Sequence, residues 1–273
     1  MPGAISTFMF NLTPTVRNLL IANVLLLVVS TNLPQIPLMQ YGALFPVGSQ
    51  FFQPWQFLTA MFLHAGWGHL IGNMFGLISF GPLLEQRWGG PRFLFFWLIC
   101  GFGAGLLYEG VRAYELRPLT ELRHDLTQNP TGGEFAELVR TAKGSGPYAA
   151  DDMALADALA RRPDDASLRA SVVQETQTIY QTVLASPMLG ASGALFGVLF
   201  AFAYLFPNTE LMLLFFPFPI KAKYFVFLYA AYELYSGVHR TPGDNVAHFA
   251  HLGGLLIGFL VVRYWERRRE RFY

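Results

Sequence analysis

Apolar residues gather into six long stretches, near 15–34, 56–84, 92–109, 189–206, 221–238 and 245–264, set off by turn residues and charges. Each predicts a helix. A straight membrane span takes about 20 residues, so 189–206 and 221–238 are short spans. Between the third and fourth stretches the pattern turns amphipathic. Leu168, Val172, Ile179 and Val183 recur at helical spacing within 164–183, and 151–161 predicts a second helix. Pro163 followed by Asp164 and Asp165 is a helix start. The predicted class is therefore all-α: a polytopic membrane protein of six transmembrane helices with a soluble helical insert between helices 3 and 4. Residues 1–110 carry the first three helices, 111–186 the insert, and 187–273 the last three helices with a basic tail.

Composition narrows the picture. Of 273 residues, 53% are hydrophobic and 14% charged, against a usual charged share near a quarter. A soluble protein of this size could not cover its surface with so few charges. Nineteen Lys and Arg against eighteen Asp and Glu leave no basic footprint for nucleic acid. The single Cys100, in an apolar run, excludes a disulfide scaffold or a cysteine metal cage.

Charge placement predicts orientation. Arg17, Arg87, Arg92, Lys221, Lys223 and the tail from Arg263 to Arg271 fall on one face of a six-span arrangement. Arg240 falls opposite. Excess Lys and Arg mark the cytoplasmic side, so a cell inner membrane with both termini cytoplasmic is expected, and an extracytoplasmic insert. The N-terminus shows no charged n-region and no cleavage site, so the first helix reads as a retained anchor.

Polar side chains inside a bilayer are costly, and each is a functional hypothesis. The second stretch holds His64, His69 and Asn73; His69 and Asn73 are four apart and share a helix face. The fourth opens with Gly190-Ala191-Ser192-Gly193. The sixth holds His248 and His251, with Gly254 and Gly258 on the face of His251. Taken singly, these have plain structural readings: small residues let helices pack closely, and histidine or asparagine bonds between helices. Together they match the needs of a serine hydrolase. Ser192 is a nucleophile, His251 a neutral imidazole to take its proton, and His69 and Asn73 donors for an oxyanion. No third acid is apparent. Asp244 lies seven residues before His251, at the aqueous end, so the reading is a Ser–His dyad.

At these residues the chain resembles the rhomboid family of intramembrane serine proteases. The family's His-x4-His-x3-Asn pattern is matched by His64, His69 and Asn73. Its Gly-x-Ser-Gly is matched by Gly190 to Gly193, and its Ala-His-x-Gly-Gly by Ala250, His251, Gly253 and Gly254. Glu85 and Arg87 look like the family's helix-end pair. The resemblance runs from about Thr15 to Trp265 and misses only the insert. It implies cleavage of peptide bonds in or near transmembrane segments of substrate proteins within the lipid bilayer, without cofactor, metal or nucleic acid. Ser192 would attack, and His251 would act as base and then acid. His69 and Asn73 would bind the oxyanion, and Gly190 and Gly193 would permit close approach. His64, Phe196, His248, Gly254 and Gly258 would support the site, with Phe196 stacking on the base where well-known members carry Tyr. The fifth helix and the loop around 236–244 would gate access. Substrate spans would carry Gly, Ala, Ser or Pro near the outer membrane boundary.

Two other classes fit parts of the pattern. A proteolytically inactive relative that binds membrane clients would usually have lost the serine or the histidine. A metal or ion transporter would favour repeats and buried carboxylates at the midplane, and only Glu109 and Glu233 lie within or at the ends of the stretches. The insert is either a solvated spacer or a substrate-docking module.

Overall fold

The computed structural model describes residues 12–143, 149–213, 216–239 and 246–269. The chain is mainly helical, and its long helices are α1 (Pro14–Asn32), α2 (Trp67–Trp88), α3 (Gly90–Gln128), α4 (Gly132–Lys143), α5 (Ala150–Arg161), α6 (Ala166–Leu184), α7 (Ser192–Leu205), α8 (Ala222–Val238) and α9 (His248–Arg269). Short turns of helix at Leu38–Gly42 and Gln56–Thr59, and a 3-10 turn at Ala60–Phe62, join α1 to α2. Arg240 to Asn245, with most of the expected gating loop and Asp244, lie outside the described residues, as does the tail beyond Arg269.

Three expectations are corrected. The second stretch does not form one helix from 56: the 3-10 turn and Gly66, in extended backbone, break it, and α2 begins at Trp67. The third does not stop at 109, because α3 continues to Gln128 through residues polar enough to leave the apolar pattern. The all-α class holds for a mainly helical chain, and what is corrected is one connection, which forms a two-stranded sheet. Strands β1 (Glu210–Leu213) and β2 (Phe216–Lys221) pair antiparallel, between the fourth and fifth apolar stretches. By length and composition, α1 and α3 are each able to cross a membrane, and α7 is a shorter apolar helix.

The chain divides into two units. The first comprises residues 1–44, 53–108 and 188–273. Its centre is α7, which is apolar all round, and from Gly193 to Ala203 every residue but Phe200 is buried. A helix with no polar face has to be enclosed, and α2, α8 and α9 pack against it. Glycine makes the α7–α9 approach possible. A Cβ on Gly258 would lie 2.9 Å from the Gly197 Cα, and one on Gly254 would run into the carbonyl of Gly193. The N-terminus of α1 is held by Glu85, which accepts from Thr13 Oγ1 (2.5 Å), Thr15 N and Val16 N (both 2.9 Å). Arg87 pairs with Glu266 of α9 at 3.0 Å. The two helix-end residues thus serve different partners.

This unit inverts the pattern of a soluble protein. Leu25, Ile71, Phe75, Phe95, Phe227 and Leu260 are exposed, whereas Asn23, Asn73, Glu85, Glu233, His248 and His251 are buried. An apolar exterior of this extent is costly in water and suited to acyl chains.

The second unit comprises residues 45–52 and 109–187. Its core gathers Leu119 and Leu126 of α3, Phe135, Leu138 and Val139 of α4, Leu159 of α5, and Val172 and Ile179 of α6. Asp165 caps α6, accepting from the N–H groups of Ser167 (3.0 Å) and Leu168 (3.2 Å). The Ser167 hydroxyl and these N–H groups hold the Asp165 carboxyl below its ordinary pKa. That capping stability is present above the unfolded-state pKa and is lost as pH falls through the depressed one.

Candidate active site

The segment before Ser192 is fixed by backbone bonds. Leu44 and Met188 exchange N–H···O bonds of 2.8 and 2.7 Å, and Gly190 N donates to Ala60 O at 2.9 Å. Gly190 has φ +126°, open to glycine and strained for other residues. A Cβ there would meet His69 Cε1 at 2.6 Å and Nε2 at 2.8 Å. The turn it makes delivers Ser192 as the first residue of α7. The first N–H groups of a helix have no intrahelical acceptor, so the backbone donors of Ser192 and Gly193 stand beside the hydroxyl.

Three helices bring side chains to that point. His251, buried one turn into α9, places Nε2 2.8 Å from Ser192 Oγ. Phe196, one turn beyond the serine, stacks flat on the imidazole, with centroids 4.3 Å apart and planes 6° from parallel. From α2, His69 accepts a long bond (3.4 Å) from Ala65 N at Nδ1, which leaves the proton on Nε2, the nitrogen that faces Gly190. Asn73, one turn further along α2, is buried and its amide N–H2 has no hydrogen-bond partner. His64 is buried with its ring edge-on to His69 at 5.0 Å, and neither of its nitrogens makes a well-formed bond. Gly193 lies close to Ala104, and Gly254 close to Gly193 itself.

One residue was not picked out by sequence reasoning. Glu233, in the middle of α8 and only 2% exposed, has Oε2 2.6 Å from His248 Nδ1 and 2.9 Å from His251 Nδ1. The contact with His248 is a formed hydrogen bond. The approach to His251 is close but too far off the ring N–H direction to count as one. The signal was available: a carboxylate inside an apolar helix is expensive and needs partners. Asp244, the acid considered from the sequence, is outside the described residues.

The arrangement combines a hydroxyl hydrogen-bonded to an imidazole, a second imidazole against the Gly190 turn, the free N–H groups of a helix start and, further along α2, an unpartnered amide. Chemically this suits acyl transfer.

The Rhomboid domain family matches residues 52–116 and 167–268, more than half of the chain. The unmatched middle, 117–166, falls within the second unit. Among similar proteins, RHOMBOID-like protein 6, mitochondrial, of Arabidopsis thaliana is 49% identical over 55 residues. That stretch is 20% of this chain and 18% of the relative. Rhomboid protein 1, mitochondrial, of Saccharomyces cerevisiae is 39% identical over 92 residues, 32% of this chain and 26% of the relative. An uncharacterized mitochondrial rhomboid protein of Schizosaccharomyces pombe is 27% identical over 220 residues, 78% of this chain and 52% of the relative. The chain thus spans about half or less of the length of these relatives.

Their names correct the localisation expected from charge. All three are named as mitochondrial, which points away from a cell inner membrane. Lys and Arg asymmetry distinguishes the two sides of a membrane and carries no information about which membrane it is. Rhomboids are in general intramembrane serine proteases that act on transmembrane substrates, and by the extent of the domain match this chain belongs to the rhomboid family.

Proposed function

We propose that the chain is an intramembrane serine endopeptidase cleaving peptide bonds in or near the transmembrane segments of other membrane proteins. The observation that carries this is the 2.8 Å bond between Ser192 Oγ and His251 Nε2 inside an apolar-faced helical unit. Its spans are α1, α2, the first part of α3, α7, α8 and α9, six in all. The three relatives named as mitochondrial favour a mitochondrial membrane as the setting.

Ser192 attacks the substrate carbonyl carbon, and its proton passes to His251 Nε2. The negative charge that develops on the carbonyl oxygen is met by His69 Nε2–H, the Asn73 amide and the first N–H groups of α7. His251 then gives the proton to the leaving amine, which departs and leaves an acyl-enzyme at Ser192. Water, deprotonated by the same imidazole, hydrolyses that ester. Glu233, close to Nδ1, favours the tautomer that leaves Nε2 free to accept, and flat stacking on Phe196 holds the ring plane. A substrate helix hides its carbonyls in its own hydrogen bonds, so helix-weakening Gly, Ala, Ser or Pro near the cleaved bond is favoured.

The test is cleavage of a single-span substrate by the detergent-solubilised chain, followed over pH. Only the unprotonated imidazole can take the serine proton, so the rate is expected to fall on acidification. A profile flat into the acidic range would remove His251 from the role of base. Glu233→Gln keeps shape and loses the anion. It is expected to lower kcat by about 10- to 100-fold, less than the loss seen when a fully bonded triad acid is neutralised, because the approach to His251 is off-axis. An unchanged kcat would exclude Glu233 from positioning the base.

A further inference from the structure

Glu233 and His248 do more than a Ser–His pair requires. Oε2 of Glu233 on α8 lies 2.6 Å from His248 Nδ1 and 2.9 Å from His251 Nδ1 on α9, one ligand-capable atom from each of the three lies within 4.8 Å of the others, and all three residues are buried. Among the described residues, the cationic or potentially cationic groups in ion-pair reach of Glu233 are these two imidazoles. A buried carboxylate beside neutral rings leaves uncompensated negative charge in an apolar unit. The His251 Nδ1 atom is also buried and has no well-formed hydrogen bond.

We infer that Glu233, His248 and His251 form a site for a divalent transition ion of the zinc class, and that its occupation switches the serine off. Two imidazole nitrogens and one carboxylate oxygen are a common zinc ligand set, leaving a fourth position for water. Ligands of a tetrahedral ion at about 2.0–2.1 Å stand roughly 3.3 Å apart. The present separations of 2.6 and 2.9 Å therefore need to open by less than about an ångström, within reach of side-chain rotation. The two histidines, three apart on one helix, already present the same ring nitrogen to the carboxylate.

The effect on Ser192 follows from ring chemistry. Beside Glu233 the favoured tautomer carries its proton on Nδ1, and Nε2 accepts from the serine. A metal on Nδ1 displaces that proton, and the neutral ring then carries its hydrogen on Nε2. In that form Nε2 donates to Ser192 Oγ and cannot take its proton. The ion thus silences the base from its far side, without touching the nucleophile. This second step rests on the catalytic reading of Ser192 and His251; ion binding itself does not.

The binding experiment uses the full chain carrying Ser192→Ala in detergent, titrated with Co2+ as a spectroscopic stand-in and then displaced by Zn2+. One Co2+ per chain with visible ligand-field absorption is expected, and Glu233→Gln or His248→Ala should each weaken it at least about tenfold. Absence of binding, or binding indifferent to both substitutions, overturns the site. Should either variant fail to fold, X-ray absorption of Zn2+ on the unsubstituted chain decides: two imidazoles in the shell support the site, and any other number contradicts it. The switch is read by fluorophosphonate labelling of the wild-type chain with Zn2+ or with chelator. Slower labelling with Zn2+, reversed by chelator, supports it; equal labelling with the site filled overturns it. No labelling in either condition instead overturns the catalytic reading and the switch with it, while the Co2+ spectrum decides the site independently.

Discussion

Ser192→Ala is expected to abolish cleavage of a single-span substrate, with kcat falling by roughly 10⁶-fold or to the limit of detection. In the proposed mechanism the serine hydroxyl forms the acyl bond, and it is the hydroxyl hydrogen-bonded to His251 among the described residues. The substitution removes one hydrogen bond and no packing, because the contacts that seat α7 come from Gly193, Gly197 and their apolar neighbours. Stability should therefore change by about 1 kcal/mol or less, and a melting curve close to wild type would show that lost cleavage is lost chemistry. Retained cleavage with an intact fold would mean that another residue is the nucleophile.

Gly254→Ala should have the second largest effect, and by a different route. Its Cβ would be driven into the Gly193 peptide, 2.7 Å from the carbonyl carbon and nearer still to the oxygen. Backbone cannot rotate aside as a side chain can. One methyl group must therefore push α9 away from α7, and those helices carry His251 and Ser192. Overpacking of this kind costs about 3 kcal/mol, the upper part of the usual range. Even a shift of an ångström would break the 2.8 Å bond. Loss of both thermal stability and activity is expected. Gly72→Ala on α2 is the control: a Cβ there meets nothing within 4 Å, and the helix should tolerate it or gain slightly. If Gly254→Ala behaved like Gly72→Ala, the close α7–α9 approach would not be what holds the site together.

The helical apolar stretches were legible because lipid-facing and enclosed helices both need long runs without charge. The hydrophobic spacing at Val172 and Ile179 likewise marks the buried face of α6. Breaks inside apolar sequence were not legible. Leu63-His64-Ala65-Gly66 leaves the helix although its composition continues the run, and the β1–β2 hairpin hides in an equally apolar segment. Hydrophobicity reports the solvent, and backbone geometry within that solvent is set by tertiary contacts such as the Gly190–Ala60 bond. The residues around Ser192 could be read because polar groups are conspicuous in apolar sequence. Glu233 was equally conspicuous, yet its meaning depends on α8 lying against α9, a pairing that periodicity does not encode. Phe196 shows the reverse: its place one turn after the serine is enough to set it over the imidazole once α7 and α9 pack closely.

Peptide mapping after reaction with a fluorophosphonate tests the central claim most directly, since such a probe bonds only to a hydroxyl activated by a base. The account predicts a single phosphonylated residue, Ser192, on wild-type protein and its disappearance in His251→Ala. An adduct on a different residue, or one at Ser192 that forms as fast without His251, would contradict it.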